Sequence, residues 1–211
     1  GFSGPLPGMD ADVFDERGSS LRKEVGELIL RQPWVGMTRS FWKNDKKYLD
    51  TYWSRWQDIW VHGDWVQVDE AGNWFITGRS DDTLKIAGKR LGPAEMESVL
   101  VSHPTVLEAA TIGIKDEEKG EAAVCFVVLK SRVEKKDGME DDLISHVTEQ
   151  LGKPLKPKYI FIVDDLPKTR NGKVLRRVIR AAFLGDDPGD LSALDNPLAV
   201  EGIAKLGSPH I

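Results

Sequence analysis

The hydrophobic rhythm of the chain changes once, near Gly78. Before that point apolar residues fall in short strand-like runs, Asp12-Val13-Phe14 and Glu27-Leu28-Ile29-Leu30, around the turn-forming Asp15-Glu16-Arg17-Gly18. Trp65 to Val68 and Trp74 to Thr77 flank Asp69-Glu70-Ala71-Gly72-Asn73 and predict a hairpin. Between these runs Tyr48, Leu49, Tyr52, Trp53 and Trp56 recur at helical spacing and predict one helix with an aromatic buried face. Such a stripe reads as core rather than as a cofactor box. All seven tryptophans lie between Trp34 and Trp74, which sets this half of the chain apart from the other.

Beyond Gly78 strands and helices alternate. Leu84-Lys85-Ile86 and Lys89-Arg90-Leu91 predict a hairpin around Ala87-Gly88, and a helix starts at Pro93 and ends before Pro104 with Met96, Val99 and Leu100 facing inward. Val106 to Ile114, Ala122 to Leu129 and Tyr159 to Val163 read as strands. A helix from Glu140 to Leu151 buries Leu143, Ile144, Val147 and Leu151, and its acidic first turn complements the helix dipole. Val174, Leu175, Val178, Ile179, Ala182 and Phe183 predict a last helix that Gly185 stops. The expected class is α+β. Residues 1–80 form a β-rich subdomain with one helix. Residues 81–185 form a small mixed α/β domain with a three-stranded sheet, a hairpin and helices. The tail 186–211, rich in Asp, Pro, Gly and Ser, is weakly patterned and either wraps the surface or stays mobile.

Composition narrows the partners. With 29 basic and 34 acidic residues the net charge is −5, against a broad nucleic-acid surface or an anionic membrane as main partner. The single cysteine, Cys125, sits inside an apolar run and reads as a buried strand residue rather than a catalytic thiol. No apolar run approaches the length of a membrane span, so a soluble, cytoplasmic protein is expected. The chain opens Gly1-Phe2-Ser3-Gly4-Pro5 without methionine, as a piece of something longer would.

Chemistry concentrates in three places. The segment Pro167-Lys168-Thr169-Arg170-Asn171-Gly172-Lys173 puts three cations on a glycine-containing loop before a helix. Each cation beside a helix N-terminus costs about 0.3–1 kcal/mol unless an anion is present. The segment therefore reads either as a phosphate site, where Gly172 lets the backbone approach, or as a solvated basic helix start. Asp64, in His62-Gly63-Asp64-Trp65, is placed to accept hydrogen bonds from a ribose diol or to cap a turn. In Gly78-Arg79-Ser80-Asp81-Asp82, Arg79 can orient a nucleotide, while Asp81 and Asp82 mark a linker or hinge; Gly88 and Arg90 add a close backbone approach and an anion contact. His62, His103, His146 and His210 match no metal-ligand spacing, and no metal site is assigned.

Taken in order, His62-Gly63-Asp64, Gly78 to Asp82 with Ile86-Ala87-Gly88-Lys89-Arg90-Leu91, and Pro167 to Lys173 closely resemble the carboxy-terminal part of adenylate-forming enzymes. Gly88 to Glu97, His103-Pro104 and the segment from Leu184 to Asp195 are similar to the acetyl-CoA synthetase branch in particular. The resemblance implies an ATP-dependent acid–thiol ligase, with Mg²⁺ accompanying ATP. A short carboxylate would form an acyl-adenylate, and CoA would then displace AMP. Lys173 matches the lysine that touches the carboxylate and nucleotide during adenylation, Asp64 the ribose ligand, Arg79 a nucleotide contact and Arg90 a phosphate contact. Asp81 matches the hinge about which the small domain turns, and Gly88 the hairpin at the pantetheine tunnel. The lysine matching Lys173 is also a target of reversible acylation, which brings acylating and deacylating enzymes in as partners.

Two features qualify this picture. The chain has neither the Thr/Ser/Gly-rich phosphate loop nor an acyl pocket, both of which the family carries in its large amino-terminal domain, so the fragment alone is expected to be inactive. Val147-Thr148-Glu149-Gln150-Leu151-Gly152 lacks the basic residues that acetyl-CoA synthetases often carry near the CoA nucleotide. An enzyme loading a carrier-protein thiol and a non-catalytic nucleotide-binding or interaction module are the competing readings.

Overall fold

A computed structural model describes residues 1–207, so His210 lies outside the described residues. The chain divides after Asp82 into the units Gly1–Asp82 and Thr83–Ile211. The first is a four-stranded antiparallel sheet in sequence order, β1 (Ala11–Phe14), β2 (Val25–Leu30), β3 (Trp60–Val68) and β4 (Trp74–Arg79), with one helix, α1 (Asp45–Tyr52). Asn44 caps α1 by accepting from the Lys47 N–H. The helix ends earlier than the aromatic spacing implies. Trp53 and Trp56 fall beyond it and Leu49 is exposed, leaving Tyr48 as its buried residue. Trp56 instead meets Phe14 edge-on, with the Arg55 guanidinium over its ring. Tertiary packing of large rings overrides the periodicity here.

Two buried carboxylates tie this sheet together. Asp12, on β1, receives Arg22, Arg31 and Ser20; burial pushes its carboxyl up, but these bonds outweigh it and hold it below the ordinary value. Glu27, on β2, accepts from Arg55 Nη1 at 2.8 Å and from Ser80 Oγ at 2.9 Å. Its burial dominates those contacts and raises its carboxyl above the ordinary value.

In the second unit the expected three strands and hairpin join in one five-stranded sheet. Its strands are β5 (Leu84–Ile86), β6 (Lys89–Leu91), β7 (Val106–Asp116), β8 (Gly120–Leu129) and β9 (Tyr159–Ile162). β8 is the shared strand. β7 runs antiparallel along one edge of it; β5 at Gly120 and the parallel β9 at Val124 to Val127 take the other. Side chains of β8 alternate between two cores. Ala123, Cys125 and Val127 pack with Met96 and Leu100 of α2 (Pro93–Ser102) and with Leu143 and Val147 of α3 (Met139–Leu151). Ala122, Val124 and Phe126 pack with Ile179 and Phe183 of α4 (Arg176–Leu184) and with Ile203 of α5 (Pro197–Leu206). The α+β class expected from the sequence is what the structure shows. Burial pushes the Cys125 thiol up to about 12, consistent with a packing role.

Two expectations need correction. Val174 and Leu175 precede α4 rather than opening it: Val174 bridges to Lys168 in a short β-contact, and Leu175 is the N-cap. The tail after Gly185, expected to wrap the surface or stay mobile, is better patterned than its composition suggests: α5 buries Ala199 and Ile203 and packs on α4, while Leu191, Leu198 and Leu206 stay exposed.

Because Glu27 binds its proton more tightly in the folded state, its contribution to stability is fully present below the unfolded value of 4.5 and is lost as pH rises through its raised folded value. Glu27→Gln should abolish that loss, so that the variant gains on wild type as pH rises through this window. Urea denaturation followed by tryptophan fluorescence reads this unit alone, since every tryptophan lies in it; parallel pH profiles would refute the assignment. Phe126, stacked on Phe161 and edge-on to Phe183, should cost about 3–5 kcal/mol when changed to Ala, measured by circular dichroism of unfolding.

Candidate active site

Asp64 lies inside β3 rather than before a strand, directly across from Arg79 on β4. Its two oxygens are held differently: Oδ2 is 2.7 Å from His62 Nδ1, and Oδ1 is 3.5 Å from Arg79 Nη1. Gly63, between His62 and Asp64, adopts φ +85°, and a Cβ there would meet Arg79 Nη2 at 2.8 Å. Glycine is therefore demanded twice, by its left-handed backbone and by the approach of the guanidinium. Arg79 in turn forks onto Asp81, with Nε to Oδ1 and Nη2 to Oδ2 both at 2.9 Å. This pairing raises the Arg79 pKa; for Asp81, partial burial acts upward but Arg79 prevails and lowers the carboxyl. Ser80, between them, is anchored through Glu27 and through its own N–H to the Gly63 carbonyl at 3.0 Å. Asp64, Arg79 and Asp81 thus form one cluster on the first unit.

Gly88 and Arg90 share the β5–β6 hairpin of the second unit. Ala87 at φ 50° and Gly88 at φ 77° form its two-residue turn, and consecutive left-handed residues are what the twist of a tight hairpin requires. Arg90 pairs with Lys85 in the register, and a side chain added at Gly88 would meet nothing within 4 Å. Leu84, Ile86 and Leu91 anchor the hairpin in the core shared with α2 and α3.

The loop that carries Lys173 is anchored in the other core, through Leu166 and Val174 on either side of it. Its loop is closed by the Lys168–Val174 bridge, by Thr169 N–H to Lys173 O at 2.9 Å and by Gly172 N–H to Thr169 O at 2.8 Å. Thr169 Oγ1 also accepts from the Lys173 N–H at 3.1 Å. The tail buttresses this loop from outside. Asn196 accepts from Lys168 N–H at 2.9 Å and donates to Leu166 O at 2.8 Å and Asp165 Oδ2 at 2.6 Å, while Asp195 N–H reaches Lys168 O at 2.9 Å.

The cations of this segment are not equivalent, which sequence spacing does not reveal. Lys168 lies 2.6 Å from Glu108 and 3.0 Å from Asp165. Arg176 forks onto Glu97 at 2.8 and 2.6 Å, and Glu97 Oε1 also accepts the Thr111 N–H at 2.8 Å. Arg177 donates to the carbonyls of Pro188 and Asp190. The anion that a cationic helix start demands is thus partly internal. Among the described residues, the Lys173 side chain is exposed and has no ion pair or hydrogen bond.

The sequence offered no signal for Glu97 or Asn196 as supports, because their partners lie 79 and 28 residues away. Thr148 and Glu149 occupy the last turn of α3, where no basic residue stands. Among the described residues no cluster of His, Cys, Asp or Glu is arranged to hold a metal, and no helix is long and apolar enough to cross a membrane. Glu97→Ala would strand the partly buried Arg176 beside the dipole of α4. It should cost about 3 kcal/mol and raise amide exchange at Lys173 and Val174; unchanged exchange there would show that the pair does not support the loop.

Residues 95–173 match the AMP-binding enzyme C-terminal domain. The acetyl-coenzyme A synthetase of Methanothrix thermoacetophila is 44% identical over 207 residues, 96% of this chain and 31% of that protein. The 3-hydroxypropionyl-coenzyme A synthetase of Metallosphaera sedula is 41% identical over 204 residues, 95% of this chain and 31% of the relative. Among solved structures, acetoacetyl-CoA synthetase from Streptomyces lividans superposes with a TM-score of 0.82 at 27% identity, covering 97% of this chain and 31% of the other. The chain spans about a third of the length of these relatives. Over residues 95–173 it carries the match to the AMP-binding enzyme C-terminal domain, and over nearly its whole length it is similar to about a third of these synthetases.

Proposed function

We propose that this chain is the carboxy-terminal part of an ATP-dependent acyl-CoA synthetase acting on a short carboxylate. The observation that carries the reading is the contrast within one basic segment. Lys168 and Arg176 are neutralised by carboxylates, whereas Lys173, like the exposed Arg170 at the loop tip, is uncommitted, and Lys173 alone of the two stands where the loop closes by hydrogen bonds at its own N–H and C=O. In the first half-reaction a carboxylate oxygen attacks the α-phosphorus of ATP, and the bond to pyrophosphate breaks. Lys173 would face the negative charge that gathers on the oxygens around phosphorus. A fixed cation needs no reorganisation as that charge develops, and such a contact is worth about 3–4 kcal/mol. In the second half-reaction the CoA thiolate attacks the acyl carbon and AMP leaves.

Asp64 would hold the ribose hydroxyls, Arg79 the nucleotide and Arg90 a phosphate, with Asp81 as pivot and the Gly88 turn beside pantetheine. Lys173 and the Gly88 turn are anchored in the two different cores of the second unit, which suits one unit presenting two surfaces in turn. Mg²⁺ would travel with the triphosphate, and the described residues supply no ligand cluster for it. Acylation of Lys173 Nζ would remove the charge and silence the first half-reaction. Three relatives carry acetyl, 3-hydroxypropionyl and acetoacetyl in their names, so a small acid is favoured without fixing which.

The test is carboxylate-dependent ATP–pyrophosphate exchange by the full-length protein across short acids, comparing wild type with Lys173→Ala. Exchange should need an acid and fall by about 10²–10³-fold in the variant. Exchange without CoA-dependent release of AMP would favour a carrier-protein thiol as acceptor. No exchange with any acid would leave a binding module, and normal exchange by the variant would remove Lys173 from the mechanism.

A further inference from the structure

We propose that His62 is a positioning residue that braces the Asp64 carboxylate for a vicinal diol, an inference that rests on the nucleotide reading of this site. His62 Nδ1 is a buried polar atom that makes no hydrogen bond, yet it lies only 2.7 Å from Asp64 Oδ2, so its N–H needs only to be aligned on that oxygen. The imidazole is not loose. Its ring meets Trp60 edge-on at 5.3 Å, and Trp60 in turn stacks on Tyr52 at 4.9 Å and meets Trp34 edge-on at 5.2 Å. This row of rings fixes the plane of His62, and Gly63 bends the strand so that residues 62 and 64 converge.

Asp64 is flanked on both sides, with His62 Nδ1 2.7 Å from one oxygen and the Arg79 guanidinium 3.5 Å from the other, and a donor aligned on each would brace it. A carboxylate offers about four lone-pair sites, so one on each oxygen remains for an incoming donor. Two free sites on two oxygens of one fixed carboxylate suit two adjacent hydroxyls, and a brace on each side stops the group from rotating away. The side chain of Asp64 is only 13% exposed, so the remaining acceptor sites are shielded from competing water. Arg79 is already shared with Asp81, which leaves His62 as the brace with no second charged partner.

The readout is the dissociation constant of the full-length protein for ATP and for 2′,3′-dideoxy-ATP, in wild type, His62→Leu and His62→Asn. Hydrogen bonds to a charged acceptor should make wild type prefer ATP by about tenfold or more. His62→Leu should shrink that preference to about two- to threefold while affinity for the dideoxy nucleotide holds. His62→Asn, whose amide nitrogen can replace Nδ1–H, should restore most of it. A preference kept by the Leu variant, or equal losses for both nucleotides in the Leu and Asn variants, would overturn the role of His62. Equal wild-type affinity for the two nucleotides would instead remove the diol from Asp64 and His62 together. Failure to bind ATP at all would overturn the nucleotide reading beneath both.

Discussion

One nearly buried carboxylate, Glu97, sets the conditions for much of the second unit. It reaches from α2, accepts an N–H from β7 and takes both arms of Arg176 at the first turn of α4. A helix that begins Arg176-Arg177 opposes its own dipole, with about half a positive charge already at that end. The fork onto Glu97 neutralises Arg176, and the carbonyls of Pro188 and Asp190 engage Arg177, which lets the helix begin where it does. That starting point fixes where the preceding loop closes, and so where Lys173 stands. The charge of the segment is thereby sorted into the paired Lys168 and Arg176 and, among the described residues, the uncommitted Arg170 and Lys173.

A similar logic operates on the first unit with different chemistry. There Asp12 and Glu27 are buried in the sheet, and only Asp12 is held below its ordinary pKa by its partners. Glu27 remains costly to ionise, yet it anchors Ser80, the residue between Arg79 and Asp81. Ser80, between two of the candidate site residues, is thus secured by an acid that itself faces inward. Gly63 makes this arrangement possible without strain, since its left-handed backbone and missing Cβ both serve the approach of Arg79.

Much of the fold is written in punctuation that acts locally. Pro93 and Pro104 bracket α2, Ala87-Gly88 turns the hairpin, and the apolar runs of β7 and β8 are long enough to be read without ambiguity. The candidate residues Asp64, Arg79, Asp81, Gly88, Arg90 and Lys173 were found by motif. The structure gathers the first three on one unit and distributes the others over two loops of the second. What periodicity missed was decided at a distance. Trp56 lies beyond the helix, where it meets the Phe14 ring edge-on and packs with Phe14, Ile29 and Val61. The start of α4 shifts because Val174 finds a β-partner in Lys168. No spacing rule links Glu97 with Arg176, nor His62 with the stack behind it, since such pairs exist only once the sheet has formed.

The buttress formed by Asn196 and Asp195 changes where the working part of this protein can be said to end. The family match stops at residue 173, and Gly185 closes the last helix that the apolar pattern reveals. Either would serve as a natural cut for transplanting the domain into one of the relatives. Hydrogen bonds from residues 195 and 196 nevertheless hold Asp165 to Lys168, the entrance of the Lys173 loop. A graft trimmed at Gly185 would keep its sheet and lose the clasp on its loop, so the portable module runs through Asn196 and into the helix that fastens it.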